Sequence, residues 1–144
     1  METQNFSNHK RYVIGFHGVL TILSLLVFIG SVVNLFNTIK ACNGYYSASL
    51  IVVFSVMFMA LMGYTRIFAL KAQDRAIRAE ENLRHYALTG KLLNAKLTMQ
   101  QIIALRFAPD EEFVNLAEKA VNENLSSDEI KKSIQNWKGD YYRV

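Results

Sequence analysis

A chain of 144 residues, 51% of them hydrophobic and with a net charge of +4, has room for one membrane hairpin and one small soluble domain. Its single cysteine excludes an internal disulfide and any multi-cysteine metal site. The net charge hides a division that weakens any nucleic-acid reading: residues 66–106 carry eight Lys or Arg against three Asp or Glu, residues 107–144 carry five against eight, and no basic patch is interleaved with aromatics.

Residues 12–39 and 45–65 contain no Asp, Glu, Lys or Arg. Each stretch exceeds or matches the roughly 20 residues that a helix needs to cross a hydrocarbon core about 30 Å thick. The sequence predicts a transmembrane hairpin over 12–70, with spans over about 12–37 and 45–68 and an external loop over about 38–44. Residues 1–11 form an N-terminal tail. Lys10 and Arg11 precede the first span, Arg66, Lys71, Arg75 and Arg78 follow the second, and the loop holds only Lys40. Cations concentrate on the cytoplasmic side of a membrane, so both termini are expected there. Arg66, Lys71, Arg75 and Arg78 are candidate contacts to anionic lipid headgroups, at about 1 kcal/mol per cation close to the surface. Tyr12, Phe16, Tyr45, Tyr46 and Tyr64 fall near the expected interfaces, where amphipathic rings settle. A cleaved signal peptide fits poorly, because its apolar region spans about 7–15 residues and the first run here is far longer. Cys42 stands in the external loop and reads as a small turn residue, with a disulfide to a second subunit as the sharper alternative.

In the first span His17, Thr21, Ser24, Ser31 and Thr38 recur at helical spacing on one face. Small and hydroxyl residues on one face of a span mark helix packing, since lipid is as apolar as leucine. The alternative is a lined path, with His17, Thr21, Ser24 and Ser31 facing a pore. No Asp or Glu stands in either span as a relay partner, and proton pathways normally show such chains. Met57, Met59 and Met62 read as gap-fillers in packing.

No Gly or Pro interrupts residues 65–89, so the second span is expected to continue as a juxtamembrane helix over 71–90. Ala72, Ala76, Ala79, Leu83 and Tyr86 recur at steps of four and three, the seam of a helix packed along a partner. They are a candidate subunit or domain seam. Asp74 with Arg78, Glu80 with Arg84 and Glu81 with His85 form acid-first pairs four residues apart, each worth about 0.2–0.5 kcal/mol. Gly90 is a candidate left-handed cap.

Residues 91–144 read as a helical cytosolic domain. Thr98 with Gln101 and Ser126 with Glu129 have capping-box spacing, and Leu97 with Ile102 and Leu125 with Ile130 supply hydrophobic staples. Pro109 suits a first helical position, followed by Asp110, Glu111 and Glu112 at the positive end of the dipole. The apolar sets are Ile102, Ile103, Leu105 and Phe107; then Phe113, Leu116, Ala117, Ala120 and Val121; then Ile130, Ile134 and Trp137. Three short amphipathic helices can share one small core. A helix-turn-helix reader would use Lys131, Lys132, Gln135, Asn136 and Lys138, but the surrounding acidity opposes phosphate attraction. For catalysis, His9, His17 and His85 stand apart in the sequence. Asp110, Glu111 and Glu112 have no companion ligands for a metal, and no phosphate loop or nucleophile motif is present. No cofactor is expected.

Gln73-Asp74-Arg75-Ala76-Ile77-Arg78-Ala79-Glu80-Glu81-Asn82-Leu83-Arg84-His85-Tyr86, then Leu88-Thr89-Gly90-Lys91, Gln101-Ile102-Ile103-Ala104-Leu105-Arg106-Phe107-Ala108, Asp110-Glu111-Glu112-Phe113 and Asn136-Trp137 carry a resemblance. Together they resemble a family of small two-span bacterial inner-membrane proteins, classed only as a domain of unknown function. The resemblance implies a bacterial source and this architecture, and it carries no activity.

The expected fold is therefore all-α: a transmembrane hairpin, a second span prolonged into a long helix, and a bundle of about three short helices. The expected role is a non-catalytic interaction or scaffold module, with the lipid bilayer and either a second copy or another protein as partners. No nucleic-acid partner is expected. A small oligomeric channel or transporter subunit is the alternative.

Overall fold

In the computed structural model the chain divides into two compact units, Arg11–Phe68 and Met1–Lys10 with Ala69–Val144. Residues 4–8 and 12–140 are described. Lys10 and Arg11, on which part of the expected orientation rests, and His9 lie outside the described residues. All regular structure among the described residues is helical.

A π-helical segment, Ile14–Leu20, leads directly into α1, Thr21–Lys40. The first helical run thus starts two residues later and ends three residues later than the expected span. A tight turn over 41–44 reverses the chain, with Cys42 at φ +54° and Gly44 at φ +74°. Left-handed backbone of this kind costs little at glycine and more at cysteine. Then α2, Tyr45–Thr89, runs unbroken for 45 residues, roughly 68 Å at 1.5 Å per residue. The first run and α2 are both long and apolar enough to cross a bilayer, and only 11% of the most apolar window of each is buried within the chain.

The other unit is a small closed core. Gly90 ends α2 at φ +73°, its N–H donating to the Tyr86 carbonyl, the left-handed cap expected there. Three short helices follow: α3, Met99–Leu105; α4, Asp110–Asn122; and α5, Ser127–Ser133. Both capping boxes form. Thr98 and Ser126 each accept from the backbone N–H three residues on, and Gln101 and Glu129 reach back to the cap. The buried Gln101 also donates to the Leu125 carbonyl at 2.8 Å, so one capping residue ties the start of α3 to the start of α5. Pro109 is the cap of α4 rather than its first helical residue. Ile77 of α2 and Leu93 and Leu97 of the connector join Ile102, Leu105, Phe107, Phe113, Leu116, Ile130 and Ile134 in one core.

Two local expectations differ from the structure. The series Ile130, Ile134, Trp137 suggests a single helix, yet Ile134 is extended at ψ 123°. The Glu112 carboxylate takes the N–H groups of Gln135 and Asn136 at 2.9 and 3.0 Å. Those donors would otherwise bond carbonyls of α5, so the helix stops. Trp137 still reaches the core, its ring 4.9 Å from that of Phe107. Arg84 pairs with Glu81 at 3.1 Å and Asp110 at 2.6 Å, not with Glu80.

Ser126→Ala should remove the cap of α5 and cost about 1 kcal/mol, measurable as a lower midpoint in chemical denaturation of the helical unit. The Ser126 hydroxyl and backbone N–H both donate to Glu129, which holds the Glu129 carboxyl below the usual range. A depressed folded-state value means stability that is present above the ordinary glutamate pKa and lost as pH falls through the lower one. The Ser126→Ala deficit should therefore shrink in acid.

Candidate functional site

Within the Arg11–Phe68 unit, two of the polar residues of the first run are buried at the seam with α2. Ser24 and Ser31 are 8% and 6% exposed, against Ala48 and Ser55 at 1% and 5% on α2. Their spacing is seven residues on each helix, the repeat of knobs-into-holes packing. Each hydroxyl first satisfies its own helix: Ser24 donates to the Leu20 carbonyl at 2.6 Å and Ser31 to the Phe28 carbonyl at 2.7 Å. Each then reaches across, Ser24 to the Met62 sulfur at 3.3 Å and Ser31 to the Ser55 hydroxyl at 3.4 Å. Small side chains with internally bonded hydroxyls let two backbones approach closely. Thr21 is exposed and donates to the Phe16 carbonyl at 3.0 Å. His17 lies within the π segment, its Nδ1 3.1 Å from the Val13 carbonyl and its ring packed edge-on against Tyr12 and Phe16. The four residues expected to share one face are therefore split between the helix seam and the outside.

Beside that seam lies a crevice of about 380 Å³ lined by Phe16, Thr21, Ser24, Leu25, Met59, Met62, Gly63, Arg66 and Ile67. Arg66 is half-buried, with its guanidinium carbon 5.9 Å from the centre of the Phe16 ring. On the other unit, Lys71, Arg75 and Arg78 are exposed.

The expected seam residues Ala72, Ala76, Ala79, Leu83 and Tyr86 are all exposed, with Leu83 at 68% and Tyr86 at 54%. The face of α2 that packs on its own helical unit is a different one, carrying Ile77, Glu81 and Arg84. The sequence masks it, because a stripe containing a glutamate and an arginine does not look like a core face. Arg84 is the junction. Its guanidinium bonds Asp110, Glu81 and the Ala108 carbonyl, and its carbon sits 4.3 Å from the centre of the Phe113 ring. Burial is the largest influence on Glu81 and pushes its carboxyl up, while Arg84 pulls it down; the net direction is upward.

A second cleft, of about 360 Å³, is bounded by His85, Lys91, Asn94, Leu97, Glu118 and Asn122 among others. His85 Nδ1 is engaged with the Lys91 carbonyl at 2.7 Å, and its ring lies edge-on to Phe113. No group of three or more His, Cys, Asp or Glu among the described residues is placed to hold a metal ion.

One contact was invisible to sequence reasoning. The Gln4 side chain accepts from the Asp140 N–H at 2.8 Å and donates to the Asp140 carbonyl at 3.1 Å. The Asp140 carboxylate in turn pairs with the buried Arg106 at 2.9 Å, and Lys132 stands 5.5 Å over the Phe6 ring. The segment before the first long helix thus belongs to the helical unit at the other end of the chain. No spacing rule links residues 136 positions apart.

The sequence model of a family described as "Family of unknown function (DUF6526)" matches residues 1–144. Neither a curated protein nor a solved structure matches the chain.

Proposed function

Starting from membership of DUF6526, the family of unknown function to which this chain belongs, we propose that it is a non-catalytic integral protein of the bacterial inner membrane. In this reading the hairpin spans the bilayer, both ends are cytoplasmic, and the helical unit acts as an interaction or scaffold module at the membrane surface. One observation carries the proposal. Ile22, Leu26 and Phe36 of α1 and Phe54, Met57 and Leu61 of α2 are each about 59–69% exposed. A core helix of a soluble protein hides such residues, and a bilayer is the solvent that suits them. The clasp between Gln4 and Asp140 supports termini on one side, as two crossings require. The interaction role draws support from the exposed stripe of Ala72, Ala76, Ala79, Leu83 and Tyr86, whose four-and-three spacing suits a second helix. Arg66, Lys71, Arg75 and Arg78 serve as headgroup contacts. The channel alternative is less favoured, because Ser24 and Ser31 spend their hydroxyls on the seam with α2.

Cys42 is the chain's only cysteine and is exposed, which provides the test. A membrane-impermeant maleimide should label Cys42 in intact spheroplasts. A Glu123→Cys, Cys42→Ser variant should stay unlabelled until the cells are lysed. Equal labelling of both, or extraction of the protein by alkaline carbonate, would overturn the topology. For the interaction role, native mass spectrometry in detergent should give an oligomer that Ala76→Glu disperses.

A further inference from the structure

The crevice beside the α1–α2 seam has features that a merely lipid-exposed surface lacks. Its volume of about 380 Å³ falls within the range of roughly 300–1,000 Å³ typical of sites that hold small molecules. Its walls are mainly aliphatic, thioether and aromatic, with the hydroxyl residues Thr21 and Ser24, and Arg66 is the only charged residue among them. That arginine is half-buried, faces the Phe16 ring, and forms no ion pair with an acid among the described residues. Phe16 itself belongs to the π-helical segment, a rare geometry that is frequent at functional sites when it occurs as single turns within helices. A largely apolar crevice with one guanidinium that forms no ion pair among the described residues calls for an amphiphile with an anionic head.

We propose that this crevice is a specific binding site for one anionic phospholipid. One acyl chain lies against Leu25, Met59, Met62 and Ile67, and the headgroup phosphate engages Arg66. A guanidinium presents several N–H donors in a fixed plane and suits phosphate oxygens. Phe16 holds the guanidinium in place from its ring face. Gly63 leaves the slot open: a Cβ built there meets no atom within 4 Å. This inference rests on the membrane-spanning reading above, and its test separates the two.

Wild-type protein is first floated with vesicles of phosphatidylcholine alone. Failure to float sinks the membrane reading and this site with it. Protein that floats is then taken into detergent and titrated with phosphatidylglycerol or phosphatidylcholine of identical chains, and retained lipid is counted by native mass spectrometry. One phosphatidylglycerol should be retained with a preference of roughly fivefold, the scale of one cation near an anionic headgroup. Arg66→Gln should abolish the preference and Arg66→Lys should keep part of it. Gly63→Leu should lower retention of both lipids by filling the slot, with helicity by circular dichroism unchanged. Equal retention of the two lipids by wild type would overturn the proposal while leaving the membrane reading intact. So would an undiminished preference in Arg66→Gln, or displacement of the lipid by glycerol phosphate alone, which would mean a phosphate site without a chain.

Discussion

Phe113→Ala is expected to leave the helical unit barely folded. Phe113 is fully buried on the first turn of α4, in contact with the Arg84 guanidinium and edge-on to His85. Phe→Ala in a packed core costs about 3–5 kcal/mol, from lost transfer energy and the cavity left behind. Native domains keep only about 0.05–0.15 kcal/mol per residue, so a unit this small has little to spare. The loss should appear as a lower urea midpoint for the Trp137 fluorescence transition, since the sole tryptophan packs on Phe107 in the same core. Exposed apolar residues elsewhere give the control: Leu92→Ala, at 66% exposure, should change the midpoint little. A Phe113→Ala midpoint close to wild type would mean that the α3–α5 core is not the cooperative unit described above.

Arg84→Met should be comparably damaging, for a different reason. It keeps much of the side-chain volume but strands Glu81, which is 8% exposed, without its partner. Removing one member of a buried pair typically costs about 3–5 kcal/mol, because the remaining charge is uncompensated. Asp110 loses a partner as well, but it is exposed and its share is small. The double variant Glu81→Gln, Arg84→Met should recover part of the loss, and the difference measures the coupling. The pH dependence has a definite sign. Burial raises the folded-state pKa of Glu81 above its ordinary value, so its neutral form is favoured in the fold. That contribution is fully present below the ordinary glutamate pKa and is lost as pH rises through the raised one. Without Arg84 the upward shift should grow, so Arg84→Met should be relatively more stable in mild acid than at neutral pH. A deficit that is flat with pH would assign the effect to packing alone.

The fate of these residues marks how far local rules reach. Capping boxes at Thr98 and Ser126 and the cap at Gly90 were legible because they are interactions within five residues, with fixed side-chain requirements. The two long apolar helices were legible because each contains a long apolar stretch without a charged residue, a pattern that composition alone carries. The pairing of Arg84 was not. A helix-surface pair four residues apart is worth only about 0.2–0.5 kcal/mol, and Arg84 instead found Asp110, 26 positions away, with a carbonyl and an aromatic face. The end of α5 failed for the same reason: Ile130, Ile134 and Trp137 keep helical spacing, but the distant Glu112 carboxylate captures the donors that would extend the helix. The apolar stripe from Ala72 to Tyr86 was found in the sequence, yet its neighbour at the same periodicity, Ile77 with Glu81 and Arg84, is the one that packs on the helical unit. Of the polar face from His17 to Ser31, spacing identified Ser24 and Ser31. It did not separate them from Thr21, which stands one turn before Ser24 in the same helix, at the edge of the seam and exposed.

The reciprocal hydrogen bonds between Gln4 and Asp140 also set a timetable. Gln4 is synthesised 136 positions before Asp140. At about 5–20 residues per second, the glutamine waits on the order of ten seconds for its partner. The ion pair of Arg106 with the Asp140 carboxylate likewise forms only then. The contacts of Gln4 therefore form only after Asp140 has emerged, and a nascent chain arrested before Asp140 should leave the segment around Gln4 open to proteolysis.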